Sequence, residues 1–235
     1  MKYIHILLLS LIACSCSTQV KTANLNLIYS KTAQHEYEER MPVIVIPGIL
    51  GSRLTEGDKI VWGAFSGNFA DPKNPEDARL VSLPIQQGKA LWQLKDNVQA
   101  PGVLDSINVN IAGLEINQQA YVNILNSLGV GGFRDQEILE NSDVDYGDKH
   151  FTCFQFPYDW RRDISEAAQE LHEYILKKKA YVEKEYDKEF GTKKRDIRFD
   201  VVAHSMGGLV LRYYLRYGTT PIPLEGPLPE QNWDG

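Results

Sequence analysis

Three short apolar runs recur along the chain, separated by longer stretches of helical patterning. Pro42-Val43-Ile44-Val45-Ile46-Pro47 is continuously apolar, bounded by prolines and too short for a helix, which predicts a strand buried on both faces and central in a parallel sheet. His150 to Phe156 and Arg198 to Ala203 read the same way. Ahead of the third run, Asp163 and Glu166 carry a capping-box signature. Ile164, Ala168, Leu171, Ile175 and Val182 then recur at helical spacing, with Gly191 as the stop. A second helix is predicted over Ile116 to Leu128, ending at Gly129. A third covers Leu209 to Tyr217, with Leu209, Val210, Tyr213 and Tyr217 on its buried face and Gly218 as cap. Strands alternating with helices predict the α/β class, a parallel sheet with helices on both faces joined by right-handed crossovers. Arg53 to Asn110 breaks this rhythm with Gly and Pro punctuation and the aromatics Trp62, Phe65, Phe69 and Trp92, so it is expected to be an irregular insertion of the lid or binding-loop kind.

The first forty residues pattern differently. Met1-Lys2 and the apolar run Ile4 to Ala13 have the charged start and short apolar middle of an export signal, and the run is too short to span a bilayer. Leu11-Ile12-Ala13-Cys14 resembles the lipobox of bacterial lipoproteins, which predicts a signal over residues 1–13 and a lipidated Cys14 as the mature N-terminus. Ser15 after that cysteine resembles outer-membrane sorting. Residues 14–40, polar from Ser17 to Arg40, are expected to be a tether, with at most a nascent helix around Gln34 to Glu39. Residues 41–235 then form the globular part.

Composition narrows the function. With 43% apolar and 24% charged residues in 235, the chain is long enough for one large domain with a sizeable core. A formal net charge of -6 and no basic cluster interleaved with aromatics exclude nucleic acid as the expected partner; Lys177-Lys178-Lys179 reads as a solvated helix face. Of the three cysteines, Cys153 lies in an apolar strand pattern and reads as a small buried hydrophobe, so no disulfide framework is supported. Asp143, Asp145 and Asp148 fit no metal-ligand template in full and read as a solvated turn.

The candidate chemistry lies at Ala203-His204-Ser205-Met206-Gly207-Gly208, between a predicted strand and a predicted helix. A serine hydroxyl is a weak nucleophile and must be presented on a strained turn beside a base, which this strand-turn-helix pattern provides for Ser205. Ala203 and Gly207 are small where large side chains would clash, and Gly207 and Gly208 are expected to let the helix start tight against the sheet. Its N-terminus favours negative charge developing near Ser205. An oxyanion hole needs two backbone N–H groups, one from the residue after the nucleophile and one from a loop after a neighbouring strand. Met206 is the candidate for the first. Pro47-Gly48-Ile49-Leu50-Gly51 is the candidate loop for the second, with Ile49 ahead of Leu50.

Pro42 to Ser52, Phe156-Pro157-Tyr158-Asp159-Trp160-Arg161-Arg162 and Ala203 to Gly208, in that order, resemble the lecithin:cholesterol acyltransferase family. The resemblance implies a partial α/β-hydrolase fold over 41–235, with 53–110 as the lid and membrane-binding region. It implies an acyl-enzyme on Ser205 that water or an alcohol resolves, oxyanion donors at Ile49 and Met206, and a phospholipid or other lipid ester as substrate. No metal or cofactor is expected. Leu50, Trp62, Tyr158 and Trp160 are the expected substrate-binding residues. For Pro157 to Arg161 two readings stand: the loop lines the acyl site, or Asp159 and Arg161 form a structural ion pair with Tyr158 and Trp160 packed beneath the lid. The usual Gly two before the nucleophile is Ala203, a mild departure, and the cysteines that bridge the lid in secreted animal members are absent.

A serine triad of this layout also needs an acid and then a histidine after the serine. His150 precedes its strand and is expected about 17–20 Å from Ser205, at the opposite end of the sheet. His204 leaves the turn in another direction, His172 lies on a helix, and His35 and His5 belong to tether and signal. The expectation is therefore an N-terminal portion of an enzyme, nearly inactive by itself, with an unpaired sheet edge beyond the strand ending at Ala203. A noncatalytic lipoprotein using the half fold as a lipid-binding or interaction module is the alternative.

Overall fold

The computed structural model describes residues 25–63, 68–71, 73–83, 85–104, 106–111, 114–119, 121–137, 144–191, 196–223 and 225–231. Cys14 and the signal, Phe65 and Asp143 lie outside these. Helix α1 (Leu25–Ala33) leads into β1 (Val43–Ile46), followed by β2 (Ser52–Glu56) and β3 (Lys59–Trp62). Then come α2 (Pro75–Val81), a 3-10 turn at Leu91–Gln93, β4 (Gln99–Val103), β5 (Ser106–Ile111), β6 (Leu114–Gln119) and α3 (Val122–Val130). The chain continues through β7 (Cys153–Gln155), α4 (Ile164–Phe190), β8 (Asp200–Ala203) and α5 (Met206–Tyr217).

All three apolar runs form strands, and they make one parallel sheet in the order β7-β1-β8. Central β1 is buried at every position because both faces are covered. Ile44 and Ile46 point with Phe154 and Phe156 into a core closed by α4 and α5. Val43 and Val45 point the other way, with Cys153, against Tyr121 and Leu125 at the start and middle of α3. A strand alternates its side chains between faces, so one unbroken apolar run serves two cores. Burial pushes the Cys153 thiol far up, and it remains a neutral apolar filler. On its other side β8 has no strand beside it among the described residues, and Val202 there is 36% exposed.

Helix α4 begins where the pattern predicts. Asp163 caps it by accepting from the Ser165 N–H at 2.8 Å, and Gly191 ends it at φ 67°, a left-handed conformation that glycine adopts without cost. Glu166 does not close a capping box; its carboxylate is taken by Arg162. In α5 the buried stripe is Gly207, Val210 and Tyr214, while Leu209, expected inside, is 54% exposed.

Two other expectations are corrected. The helix predicted from Ile116 begins only at Val122, because Leu114–Gln119 pairs with Ser106–Ile111 as an antiparallel hairpin; apolar residues at 107, 109, 111, 114 and 116 alternate with period two. Gly129 does not stop α3. It lies inside the helix, where a Cβ would sit 2.6 Å from the Tyr146 hydroxyl, and the cap is Gly131. The insertion at 53–110 is not irregular throughout. It carries a three-stranded antiparallel sheet in the order β3-β2-β4, with Pro101 on the edge strand β4, where no ladder donor is needed.

The tether reading of 14–40 also changes, since from α1 onward this stretch is docked. Ala33 is buried against Val144 and Tyr146, and the Tyr186 hydroxyl donates to the Arg40 carbonyl at 2.7 Å. Glu36 pairs with Arg134, whose side chain is wholly buried, and with Lys149 at 3.2 Å. A polar sequence pattern does not reveal such docking, because apart from Ala33 the contacts are ion pairs and a hydrogen bond to residues remote in sequence. Asp145 behaves as the turn residue expected, its carboxylate accepting from the Gly147 N–H at 2.9 Å. Among the described residues no helix is long and apolar enough to cross a membrane.

Beside this clasp sits His150, its side chain 5% exposed and its ring edge-on to Tyr186. Burial, and then the Arg134 charge, push its imidazole down from 6.5 to about 4. The folded protein therefore keeps His150 neutral where the unfolded chain takes up a proton. Its contribution to stability is complete above pH 6.5 and is lost as pH falls through about 4. Replacing it with an apolar residue (His150→Leu) is expected to flatten the fall in melting temperature across that range, as calorimetry at a series of pH values would read.

Candidate functional site

The parallel sheet brings three loops to the carboxyl ends of its strands: Pro47 to Gly51 after β1, Pro157 to Arg161 after β7, and His204 to Met206 after β8. In open α/β sheets this is where ligands bind. The ladder continues past β8, with the His204 N–H donating to the Ile46 carbonyl at 3.0 Å, so the turn carrying Ser205 is pinned beside the end of β1.

Ser205 stands at the N-terminus of α5, exposed, with φ 51° and ψ −119°. Among the described residues only Ser205 and Leu50 are non-glycine residues at positive φ, and both lie at this sheet end. Each costs on the order of 1–3 kcal/mol and persists only where the surroundings over-determine it. Here the turn is fixed by Gly207 N–H to the His204 carbonyl at 2.9 Å and Gly208 N–H to the Ser205 carbonyl at 3.0 Å. Leu50 is held by the Trp62 indole, which donates to its carbonyl at 3.0 Å.

Glycines allow this close approach. A Cβ on Gly207 would lie 2.5 Å from the Pro47 carbonyl oxygen and 2.7 Å from that of Ile46. A Cβ on Gly48 would lie 2.9 Å from both the Ser205 Cβ and the His204 Nδ1, so the loop after β1 touches the turn carrying Ser205 directly. Gly208, expected to share this task, has nothing within 4 Å.

The expected oxyanion donors, Ile49 and Met206, lie on the loops after β1 and β8. Among the described residues neither the Ile49 nor the Met206 N–H donates to a protein group, and Ile49 and Leu50 are 57% and 40% exposed. Of the expected substrate-binding residues, Leu50 faces solvent, but Trp62 and Trp160 stack edge to face, with ring centroids 5.7 Å apart, as supports. Tyr158 is corrected. It is wholly buried, its hydroxyl donates to the Pro47 carbonyl at 3.0 Å and its N–H to Ser52 Oγ at 3.1 Å, so it braces the loop after β1 from beneath rather than lining a crevice. Burial, with Tyr121 nearby, pushes its phenol up and keeps it a donor.

The Asp159–Arg161 pair is structural. The guanidinium, 1% exposed, is forked on Asp159 with its closest contact at 2.6 Å. It also reaches Asp96 at 2.9 Å and the Leu80 carbonyl, both on the insertion. Burial works to lower its pKa, but the hydrogen bonds and charges of Asp159 and Asp96 outweigh this and raise it. Arg162 adds contacts to the carbonyls of Leu91, at 2.9 Å, and Leu94. Sequence reasoning found the ion pair but not its partners on the insertion, which lie at least 65 residues away.

No described histidine bonds Ser205. His150 lies near the opposite end of the sheet, beside Cys153 rather than Ala203, and His172 bonds the Tyr214 hydroxyl at 2.9 Å. His204 turns its Nδ1 to the Tyr121 hydroxyl, 3.0 Å away. Tyr121 is the site residue that sequence reading missed, since nothing in its local pattern marks it.

A serine at positive φ between a parallel strand and a helix, on a mixed α/β scaffold, has the strand-turn-helix geometry in which nucleophile elbows present a serine. The family model for lecithin:cholesterol acyltransferase matches residues 136–221, and this supports membership of the chain in that family. The match covers β7, α4, β8 and α5, including the Phe156 to Arg162 and Ala203 to Gly208 motifs, and points to acyltransferase or lipase-type activity on lipid substrates. No curated protein and no solved structure matches the chain significantly.

The glycine contacts yield a paired prediction. Ala in place of Gly gains about 1 kcal/mol of helix propensity, whereas forcing a methyl into packed backbone costs about 1–3 kcal/mol. Gly207→Ala is therefore expected to lower the melting temperature and Gly208→Ala to raise it slightly, measured side by side in denaturant and thermal unfolding.

Proposed function

We propose that this chain carries the nucleophile of a serine-dependent lipid acyl hydrolase or O-acyltransferase, forming an acyl-enzyme on Ser205. The observation that carries this reading is the φ of 51° at an exposed serine whose turn is clamped against the loop after β1. Ser205 Oγ attacks the ester carbonyl carbon and gives up its proton to a base. The carbonyl electron pair moves to oxygen and is held by the N–H groups of Met206 and Ile49; collapse breaks the bond to the leaving oxygen, which takes the proton from the base and departs as the alcohol. Water or an alcohol then attacks the acyl-enzyme and regenerates the serine. The described residues do not supply the general base, and the proposal places it, with its acid, outside them. Exposed Ile49 and Leu50 beside the serine suit an acyl chain better than a polar substrate.

A fluorophosphonate probe is expected to label Ser205 in the folded protein when the proposed base and acid are present with it, with peptide mass spectrometry locating the adduct, and Ser205→Ala is expected to abolish it. Absence of labelling in that folded protein sinks the mechanism. The same proposal includes export and anchoring through a lipidated Cys14. Cys14→Ala is expected to move the protein from the membrane fraction to the soluble one, and an unchanged partition refutes the anchor.

A further inference from the structure

Tyr121 lies just ahead of α3, 6% exposed, far from the serine turn in sequence. Its hydroxyl nevertheless meets both halves of the site. The Gly48 N–H, on the loop after β1, donates to it at 2.7 Å, and His204 Nδ1, on the turn after β8, stands 3.0 Å away. The two rings meet at 68°, with centroids 5.8 Å apart. The fit has no slack on either side: a Cβ on Gly51 would come within 2.9 Å of this hydroxyl, and one on Gly48 within 2.9 Å of His204 Nδ1.

A phenol has one proton to give. Gly48 already fills an acceptor position, so the Tyr121 proton needs an acceptor of its own, and His204 Nδ1 is the group within reach. The opposite order, Nδ1–H donating to the phenol, would leave a buried hydroxyl proton unplaced, which folded proteins avoid. We infer that Tyr121 is a positioning residue that fixes the Gly48-Ile49 peptide against the nucleophile turn through a directional chain, Gly48 N–H to Tyr121 oxygen and Tyr121 O–H to His204 Nδ1. His204 is thereby the neutral tautomer with its proton on Nε2. The inference rests on the reading of Ser205 as nucleophile only for its effect on reactivity; the hydrogen-bond chain stands on geometry alone.

Tyr121→Phe keeps the ring and removes the oxygen. It is expected to leave the protein folded by circular dichroism and to slow fluorophosphonate acylation of Ser205 about ten- to a hundredfold, the scale of a misaligned oxyanion donor. His204→Asn keeps an acceptor at the Nδ1 position and is expected to react within a few-fold of the parent. His204→Leu is expected to match Tyr121→Phe, with no added loss in the double variant. Nitrogen-15 NMR, with His204 assigned by its loss in His204→Asn, is expected to show an unprotonated, hydrogen-bonded Nδ1 whose resonance moves in Tyr121→Phe. A protonated Nδ1, or parental acylation in both Tyr121→Phe and His204→Leu, overturns the inference. Failure of the parent to label overturns the nucleophile reading instead, and the NMR result then decides the chain by itself.

Discussion

The described architecture depends on two backbones touching without side chains between them. Where β1 ends, the carbonyls of Ile46 and Pro47 lie against Gly207 in the first turn of α5, and Gly48 lies against Ser205 and His204. This contact sets how far α5 can descend onto the sheet. It therefore sets where Val210 and Tyr214 enter the core and where Ser205 emerges from it. The strained dihedrals of Ser205 and Leu50 are its local cost, offset by backbone bonds on either side and by the Trp62 indole. Core packing and the presentation of one hydroxyl are thus consequences of the same fit.

Support for that contact comes in layers that belong to different parts of the chain. Tyr158 braces Pro47 from below, Ser52 holds both the Tyr158 N–H and the Trp160 indole, and Tyr121 closes the side. Tyr158, Trp160 and Tyr121 each carry a polar group on an aromatic ring, able to fill apolar space and still satisfy a carbonyl or N–H. At the other end of the sheet, ionic contacts around Glu36, Arg134 and Lys149 hold the segment that leads into β1. The short central strand is secured at both ends by side chains remote in sequence.

What was legible in the sequence was whatever writes a local period or a local motif. The three apolar runs, the Asp163 to Gly191 helix and the serine turn each announce themselves within a few residues, and the structure carries all of them. The hairpin at 106–119 was misread because a short apolar stretch with polar neighbours fits helix and strand periods alike until pairing decides. Gly129 and Gly208 show the limit for glycine: the letter signals freedom of backbone or need for space, and only the neighbour's position tells which. Tyr121, Glu36 and the insertion partners of Arg161 left no trace, since their roles are contacts across long separations with no periodic signature.

The Arg161 guanidinium has a consequence for how the insertion can move. One fork serves Asp159 beside β7 and, on the insertion, Asp96 and the Leu80 carbonyl. Lifting the insertion slightly would strip that cation of half its counter-charge before the gap is wide enough for water to replace it, whereas full detachment would let it hydrate. Intermediate postures are therefore the most expensive. Any displacement of the insertion should behave as a snap between two postures rather than a gradual swing.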